Sequence, residues 1–352
     1  MDERGQLQRE RVFSGVQPSG ELHLGNYLGA LGQWVRLQER YDCIFCVVDL
    51  HALTVRPDPV QLRKATRHVA AAFLACGIDP GRSIVFVQSQ APQHTELAWV
   101  MLCLASYGEL GRMTQFKEKA RGRREEAVGA GLYAYPALMA ADILLYDTRY
   151  VPVGEDQRQH LELARDLAQR FNTLYGETFV VPEAIIPEET GRIMSLEDPT
   201  KKMSKTAGGP GSYIALRDPP DVIRRKVRRA VTDSGTEVYA APDKPAITNL
   251  LRIFSGVSGR PIPELETEYR HTGYARFKAD LAEAVVARLA PIQERLAELE
   301  AHPQHLDAVL EEGAHRARVL AEAKMLLVRG RVGLAAGVAA SAREERTGPR
   351  HL

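Results

Sequence analysis

Short apolar runs alternate with longer segments of helical period over the first half of the chain. The runs are rich in β-branched and aromatic residues and cover positions 12–16, 43–48, 83–88 and 150–153. Between the first two runs, apolar residues recur as on one face of a helix, at Leu24, Leu28, Leu31 and Val35. Further helices are predicted at 59–75, 94–106, 136–146 and 156–175. This alternation is typical of an α/β fold with a parallel sheet covered by helices, and it suits a nucleotide-binding domain.

The pattern changes between Pro187 and Ser212, where prolines and glycines interrupt every periodic segment. Beyond this break, residues 221–230 predict a basic helix. Apolar residues then follow one another at helical spacing from Leu281 to Leu299, as in one buried stripe. Pro303 ends this stripe, and a last helix is predicted at 306–327. The second half is therefore predicted to be helical, with a small, charged and disordered tail at its end.

Composition and charge narrow the class of protein. The chain has 352 residues, 45% of them hydrophobic, and a net charge of +1, so it can bury a full core but does not coat nucleic acid through charge alone. Any RNA binding must use local basic patches. The charged N-terminus lacks the apolar stretch of a secretory signal, and no apolar run reaches the roughly 18 residues needed to span a bilayer. We therefore expect a cytoplasmic protein without a membrane segment.

The four cysteines are expected to be buried thiols. Only Cys43 and Cys46 lie close together, inside an apolar run, and no second pair stands at zinc-binding spacing. We therefore expect no metal ion bound by protein side chains.

A polar, glycine-rich turn follows the first predicted strand and leads into the first predicted helix. It covers Phe13 to Gly20, with the sequence FSGVQPSG, and the helix opens with His23 to Asn26, HLGN. The N–H groups and the positive dipole at a helix start attract anions, and Gly25 lets a flat base approach the backbone. His23 and Asn26 would then reach a phosphate. By itself, the same turn is also compatible with a plain structural cap.

A second candidate segment is Lys201 to Thr206, with the sequence KKMSKT, inside the region rich in proline and glycine. Spaced lysines and a hydroxyl group on a loop suit a polyphosphate, because each lysine is a compact charge that can follow a triphosphate as it is cleaved. Taken alone, a lysine pair on a loop is more often a solvated surface. Together, the two segments resemble HIGH and KMSKS, the marker sequences of class I aminoacyl-tRNA synthetases.

Within that class, the chain resembles the tryptophanyl enzymes from Phe13 to about Gly330. The matching blocks are 13–20, 25–27, 108–119, 135–146, 151–160 and 192–206. Two positions depart from the class pattern, since Asn26 replaces the last histidine of HIGH and Thr206 replaces the last serine of KMSKS. Asn26 is usual in the tryptophanyl branch and Thr206 keeps a hydroxyl group, so both departures are compatible with activity.

The resemblance implies an architecture and a reaction. A Rossmann-like parallel-sheet catalytic domain would cover 1–200, and a smaller all-helical anticodon-binding domain would cover 201–304, including the lysine loop. A C-terminal helix at 305–334 would pack back on the catalytic domain, and 335–352 would form the disordered tail. The enzyme would be a homodimer that activates L-tryptophan with ATP and Mg²⁺ and loads it onto tRNA(Trp).

Three alternatives share part of this pattern. A tyrosyl-tRNA synthetase has the same fold and both marker motifs, but needs a different substrate block. A catalytically silent paralogue would only bind RNA or a partner protein, although His23, Gly25, Lys202 and Lys205 are intact. A small-molecule nucleotidylyltransferase can be built on the same sheet, but its reaction does not require a second, helical domain.

The substrate block is Met139 to Leu145, where Asp142 is a single carboxylate in an otherwise apolar helix and needs a donor. By itself, this carboxylate is equally compatible with a structural cap or a structural pair. The resemblance implies that Asp142 accepts a hydrogen bond from the indole N–H, while Tyr135 and Gln157 receive the substrate ammonium. It further implies that the indole ring is enclosed by Phe13, Gly15, His51, Met139, Val151 and Val153.

The resemblance also assigns residues to ATP and to catalysis. The expected ATP-binding residues are Gln17, Pro18, Ser19, His23, Gly25, Asn26, Gly154, Glu155, Asp156, Ile193, Lys202, Met203, Ser204, Lys205 and Thr206. Charge on the departing pyrophosphate would be stabilised by Mg²⁺ carried by ATP and by Lys202, Lys205, Gln17 and Lys119. The basic helix would hold the RNA backbone through Arg224, Arg225, Lys226, Arg228 and Arg229.

Overall fold

The computed structural model describes residues 9–18, 20–114, 116–117, 128–154, 157–185, 192–205 and 208–335. Five residues with an expected role lie outside these ranges, namely Ser19, Lys119, Glu155, Asp156 and Thr206. The predicted tail beyond residue 335 lies outside them as well.

A five-stranded parallel sheet forms the centre of the fold. Its strands are β1 Arg11–Val16, β2 Asp42–Val47, β3 Ile84–Val87, β4 Tyr150–Pro152 and β5 Glu183–Ile185. They lie in the order β3-β2-β1-β4-β5, with every neighbouring pair parallel. The chain thus builds the sheet outward from β1 in one direction and then, from β4, in the other. In such sheets, ligands bind outside the carboxyl ends of the strands where this direction changes, which here is between β1 and β4.

Helices cover the sheet in the first half of the chain. The described helices there are α1 Leu24–Asn26, α2 Gly32–Leu37, α3 Asp49–Ala52, α4 Pro59–Ala75, α5 Gln93–Leu104, α6 Tyr107–Gly111, α7 Ala130–Leu144 and α8 Arg158–Tyr175. A π-helical turn, Tyr27–Leu31, joins α1 to α2, and single 3₁₀ turns occur at Leu53–Val55 and Gln88–Gln90. The predicted start of α7 at Pro136 is wrong. The helix begins at Ala130 and continues through Pro136, because the missing N–H removes only one bond of the ladder while Leu132 and Tyr135 are already buried.

The second half is helical, as predicted, with α9 Pro220–Arg229, α10 Pro245–Ser258, α11 Ile262–Tyr269, α12 Tyr274–Ala301 and α13 Pro303–Val332. The apolar stripe from Leu281 to Leu299 is buried in α12, which packs on α4, α9 and α10. The fold class is therefore confirmed, whereas the domain boundaries at 200 and 304 remain predictions.

The last helix, α13, lies against the sheet. Lys324 is buried, and its ammonium group donates to the carbonyl of Thr178 at 2.7 Å and pairs with Asp147 at 2.5 Å. Further along α13 towards its N-terminus, Gly313 lies directly on β3. A Cβ atom at Gly313 would stand 1.8 Å from the carbonyl oxygen of Val85. Glycine is therefore required there so that helix and strand backbones can meet.

We expect Gly313→Ala to destabilise the protein by about 1–3 kcal/mol or more, because the added methyl group meets backbone that cannot rotate away. The matched control is Gly330→Ala in the same helix, where a Cβ would meet nothing within 4 Å. That variant should be more stable by about 0.5–1 kcal/mol, since alanine favours the helix. Equilibrium denaturation measures both. Equal stability of the two variants would mean that α13 does not rest on β3.

Three of the four thiols are buried, as expected, at Cys43, Cys46 and Cys76. Burial raises the pKa of the Cys43 and Cys76 thiols to about 12, so both stay protonated. The expectation for Cys103 is wrong, because it lies on the exposed face of α5, one turn after Trp99.

Within the described ranges, His, Cys, Asp and Glu side chains form no group of three or more able to hold a metal ion. None of the helices in those ranges has the length and apolar character needed to cross a membrane.

Candidate active site

Asp142 lies at the centre of a buried hydrogen-bond network. Its side chain is 2% exposed and is reached by three donors from three other segments. Gln88 Nε2 and His94 Nδ1 each lie 2.6 Å from Oδ1, and His51 Nε2 lies 2.7 Å from Oδ2. Burial by itself raises the pKa of Asp142, but the two histidines outweigh it and hold the pKa below its usual value. The carboxylate is therefore ionised at neutral pH and acts as a hydrogen-bond acceptor.

The topology explains how these side chains meet. His51 follows β2 in α3, Gln88 follows β3, and His94 stands at the start of α5, while α7 carries Asp142 across them. Parallel strands end at one edge of the sheet, so residues that follow β2 and β3 become neighbours. The sequence did not indicate a role for Gln88 or His94. The signal that could have indicated Gln88 is its place as a polar residue directly after a fully apolar strand. In the structure, Gln88 is 0% exposed.

Apolar side chains pack beside this network. Phe13, Val151 and Val153 are buried in one cluster with residues of α7, and Met139 packs against that cluster. The Phe13 ring stacks on Tyr146 with 5.8 Å between the ring centroids. Gly15 belongs to the same wall, since a Cβ there would stand 2.8 Å from the side chain of Val48. The structure thus brings Phe13, Val151, Val153 and Met139 of the set predicted to enclose an indole ring into one cluster, with Gly15 beside it.

Tyr135 lies on α7 two turns before Asp142, and its ring meets that of His51 edge-on, with centroids 6.3 Å apart. Its hydroxyl group lies 2.5 Å from His160 Nε2, a partner in α8 that sequence reasoning did not assign a role. Gln157 and Gly154 follow β4, joined by a backbone hydrogen bond of 2.9 Å. Tyr135 and Gln157 therefore both belong to the elements that flank the carboxyl end of β4.

The first motif is held in place by its own cap and by a distant segment. The His23 N–H donates to Asn26 Oδ1 at 3.0 Å, which is part of a capping box. On the other side, the N–H of Leu24 donates to the carbonyl of Ile214 at 2.8 Å. Burial and the charge of Lys202 lower the pKa of His23 to about 4, so its imidazole is neutral at pH 7. Of the adjoining residues, Gln17 is half-buried and Pro18 is buried.

The lysine segment begins as a short hairpin. The N–H of Met203 donates to the carbonyl of Ile193 at 3.0 Å, and that of Ser195 donates to the carbonyl of Lys201 at 2.8 Å. Asn249 of α10 anchors this hairpin with both ends of its side-chain amide, which bonds the N–H and the carbonyl of Met194 at 2.8 and 2.9 Å. Lys202 and Lys205 are exposed, Ser204 is half-buried, and Ile193 and Met203 are buried.

The two motifs contact each other. A Cβ atom at Gly25 would stand 3.3 Å from the Cβ of Met203, and one at Gly20 would stand 3.1 Å from Lys205 Nζ. Glycine at these positions therefore lets the lysine segment fold onto the turn between β1 and α1. This juxtaposition is the one that a shared nucleotide requires.

An open cleft of about 560 Å³ adjoins the contact between the motifs. Its lining includes Gly20, Lys64, His68, Lys205 and Arg217. Burial, together with Arg217 and Lys205, lowers the pKa of His68 to about 4. Lys205 thus lines this cleft. The residues predicted to enclose the indole ring are not part of its lining.

The basic helix α9 presents only part of its charge outward. Lys226 is largely buried, with its ammonium group 2.6 Å from Asp218 Oδ2 and over the ring of Tyr213. Arg224 pairs with Glu283 at 2.6 and 2.9 Å. Exposed cations remain at Arg225, Arg228 and Arg229.

Comparisons with known proteins agree with this geometry. A family model described as tRNA synthetases class I (W and Y) matches residues 6–290. A tryptophan–tRNA ligase of Caldanaerobacter subterraneus subsp. tengcongensis is 52% identical over 326 residues, which cover 92% of this chain and 98% of that protein.

Solved structures show the same likeness. A tryptophanyl-tRNA synthetase from Mycoplasma pneumoniae matches with a TM-score of 0.86 and 36% identity, over 93% of this chain and 99% of that one. One from Campylobacter jejuni, in complex with ADP and tryptophan, matches with a TM-score of 0.77 and 37% identity, over 92% and 100% of the two chains. The sheet order, the paired motifs and these similarities together place the chain in the class I tRNA synthetases, as a member of the tryptophan–tRNA ligase family.

Proposed function

We propose that this chain activates L-tryptophan with ATP to form tryptophanyl-adenylate and pyrophosphate, and then transfers tryptophan to tRNA(Trp). The observation that carries the proposal is the contact between the motifs, with Lys205 Nζ 3.1 Å from where a Cβ of Gly20 would stand. A helix start that attracts anions and the exposed ammonium group of Lys205 thereby lie close together. Because charging of tRNA serves translation, we place the enzyme in the cytoplasm.

Tryptophan would bind with its indole ring between Phe13, Met139, Val151 and Val153, and with its N–H directed at Asp142. The ammonium group would meet Tyr135 and Gln157. A substrate that lacks an N–H would leave one acceptor position of the ionised Asp142 unfilled, and this discriminates because an unfilled buried acceptor is costly. This arrangement accounts for discrimination against phenylalanine without an editing site.

The first chemical step needs no general base, because the tryptophan carboxylate, with a pKa of about 3.5, is already ionised at pH 7. It attacks the α-phosphorus of ATP, and the bond from that atom to the oxygen of the pyrophosphate breaks. Lys202, Lys205 and Gln17 stabilise the negative charge that collects on the departing pyrophosphate. The motifs offer lysine, imidazole and amide groups, so Mg²⁺ would be held by the phosphates of ATP and would enter with the substrate.

In the second step, the terminal ribose hydroxyl of the tRNA attacks the carbonyl carbon of the adenylate and releases AMP. The helical second half would hold the RNA backbone through the exposed arginines of α9. Contacts of this kind position the RNA, and other groups would read its bases.

ATP–pyrophosphate exchange tests this function directly. We expect exchange that requires tryptophan and that tyrosine does not support at equal concentration. Exchange that is as fast with tyrosine, or that proceeds without any amino acid, would overturn the assignment. Loading of tRNA(Trp) with labelled tryptophan checks the second step.

We also propose that the enzyme is a homodimer, through an apolar patch formed by Leu53, Val55, Trp99 and Tyr107. These side chains are 53%, 61%, 66% and 83% exposed, which is unusual for such large apolar groups. The segments that carry Leu53, Val55 and Trp99 all pack against α7, and the Tyr107 ring contacts Tyr133 of α7 with centroids 5.0 Å apart. All four residues therefore belong to segments that flank the helix that carries Asp142.

Trp99→Glu is expected to convert the dimer to a monomer, because a charge placed in the centre of an apolar interface must be desolvated. Light scattering after size-exclusion chromatography measures the mass. The control is Val319→Glu on α13, where the side chain is 58% exposed but lies outside the patch. A wild-type monomer, or equal dissociation of both variants, would contradict this interface.

A further inference from the structure

The two oxygen atoms of Asp142 are not equivalent. Oδ1 accepts hydrogen bonds from Gln88 and from His94, each at 2.6 Å, whereas Oδ2 accepts one, from His51 at 2.7 Å. A carboxylate oxygen has two acceptor positions. Oδ1 is therefore filled by the protein, and Oδ2 keeps one position for a further donor.

Both donors to Oδ1 are themselves held by second partners. The amide oxygen of Gln88 accepts from the backbone N–H of Leu50 at 3.1 Å, which fixes the amide so that its NH₂ group faces Asp142. His94 Nε2 lies 2.7 Å from the hydroxyl group of Tyr146. Gln88 and His94 are both 0% exposed, so water does not compete for these contacts.

The contact with Tyr146 holds the ring of His94 in place. Burial raises the pKa of Tyr146 well above its usual value, so the phenol keeps its proton. Among the described residues, His94 Nε2 is the acceptor for that proton. Because an ionised carboxylate can only accept, His94 Nδ1 carries the proton that points at Asp142 Oδ1. The hydrogen bonds thus run in one direction, from Tyr146 through His94 to Asp142.

We propose that His94, held by Tyr146, is a positioning residue that dedicates Oδ1 of Asp142 to the protein and thereby leaves Oδ2 as the acceptor for the substrate N–H. This inference rests on the proposed function, because it concerns how tryptophan is recognised. A carboxylate that rotated part of the way about its Cβ–Cγ bond would turn the free acceptor position of Oδ2 away from the indole N–H. Oriented donors prevent that rotation before the substrate arrives.

The test compares tryptophan with an amino acid that has sulfur in place of the indole N–H, 3-benzothienylalanine, in ATP–pyrophosphate exchange. For His94→Leu, we expect the ratio of the two kcat/KM values to fall about tenfold or more, through a higher KM for tryptophan, as loss of one buried hydrogen bond implies. The KM for ATP should stay within about twofold. His94→Asn should restore most of the ratio, because its amide N–H can take the place of Nδ1–H.

Tyr146→Phe provides an independent test, since it leaves His94 in place and removes only the hydroxyl group that holds its ring. A lower selectivity ratio in this variant supports the proposal even where His94→Leu does not fold. An unchanged ratio in both folded variants overturns it, as does an equal loss of kcat with both amino acids. Asp142→Asn in the same assay separates failure of the positioning role from failure of the proposed function. If that variant loses selectivity and the His94 and Tyr146 variants do not, only the positioning role fails, whereas wild-type enzyme without tryptophan-dependent exchange refutes the function itself.

Discussion

Asp142→Ala is expected to lower kcat/KM for tryptophan by about 100-fold or more in pyrophosphate exchange, with the KM for ATP changed by less than about twofold. The variant removes a charged acceptor for the indole N–H, and it also leaves the donors of Gln88, His94 and His51 buried without their partner. Selectivity against 3-benzothienylalanine should fall in parallel, because that analogue never used the acceptor. A loss that is the same for every amino acid would contradict the role of Asp142.

A matched control variant distinguishes a loss of tryptophan recognition from a loss of protein stability. Asp147→Asn removes the negative charge that pairs with the buried Lys324, 2.5 Å away, and tolerates the positive φ of 51° at that position. We expect this variant to be less stable and to keep the wild-type KM for tryptophan. Thermal unfolding of both variants, measured beside the kinetics, shows whether lost stability accounts for lost activity.

Lys205→Ala is expected to lower kcat of pyrophosphate exchange by a factor of about 10² to 10³, as removal of one group that stabilises transition-state charge does. The KM for tryptophan should change by less than about twofold, because Lys205 lies on the side of Gly20 and the nucleotide motif. Single-turnover formation of the adenylate measures the affected step. A higher KM for tryptophan with kcat unchanged would assign Lys205 to substrate binding.

Lys201→Ala is the control for charge in the same segment. Lys201 is exposed, and its ammonium group lies 2.9 Å from Asp198, whose pKa it helps to lower to about 2 together with Thr200. Because this pair lies within the turn itself, we expect kcat within about threefold of wild type, the usual size of an exposed ion-pair effect. Equal losses in Lys201→Ala and Lys205→Ala would indicate a general effect of charge on the segment.

Much of the fold was predictable because its signals are local. Strands buried on both faces must be apolar, and this requirement marks β1 to β4 within one or two residues at each end. The range of α4, Pro59–Ala75, was predicted without error, since a capping Asp58 and a proline at its first turn mark its start. By contrast, β5 has three residues on an exposed edge and no periodicity, so its sequence carries no such signal.

The candidate site also contains residues that the sequence reveals and partners that it does not. The two motifs are recognisable because an anion site at a helix start needs glycine and small polar residues, and a polyphosphate needs lysines. The partners of those groups are not recognisable, since Gln88 and His94 stand 54 and 48 residues from Asp142 in the chain. Asn249 anchors Met194 across 55 residues, and an asparagine inside an apolar helix does not indicate which segment it will meet.

The sequence by itself determined the kinds of elements and the chemistry they carry, because backbone period, turn formation and side-chain charge depend on residues that are near one another in the chain. Only the tertiary structure decided which groups meet: that Lys205 reaches Gly20, that Asp142 has one filled and one open oxygen, and that Cys103 faces solvent. These contacts depend on the order in which strands join the sheet and on how helices cross it. A hydrogen bond between distant segments forms where the packed backbones place donor and acceptor within about 3 Å, and no local pattern of residues encodes that distance.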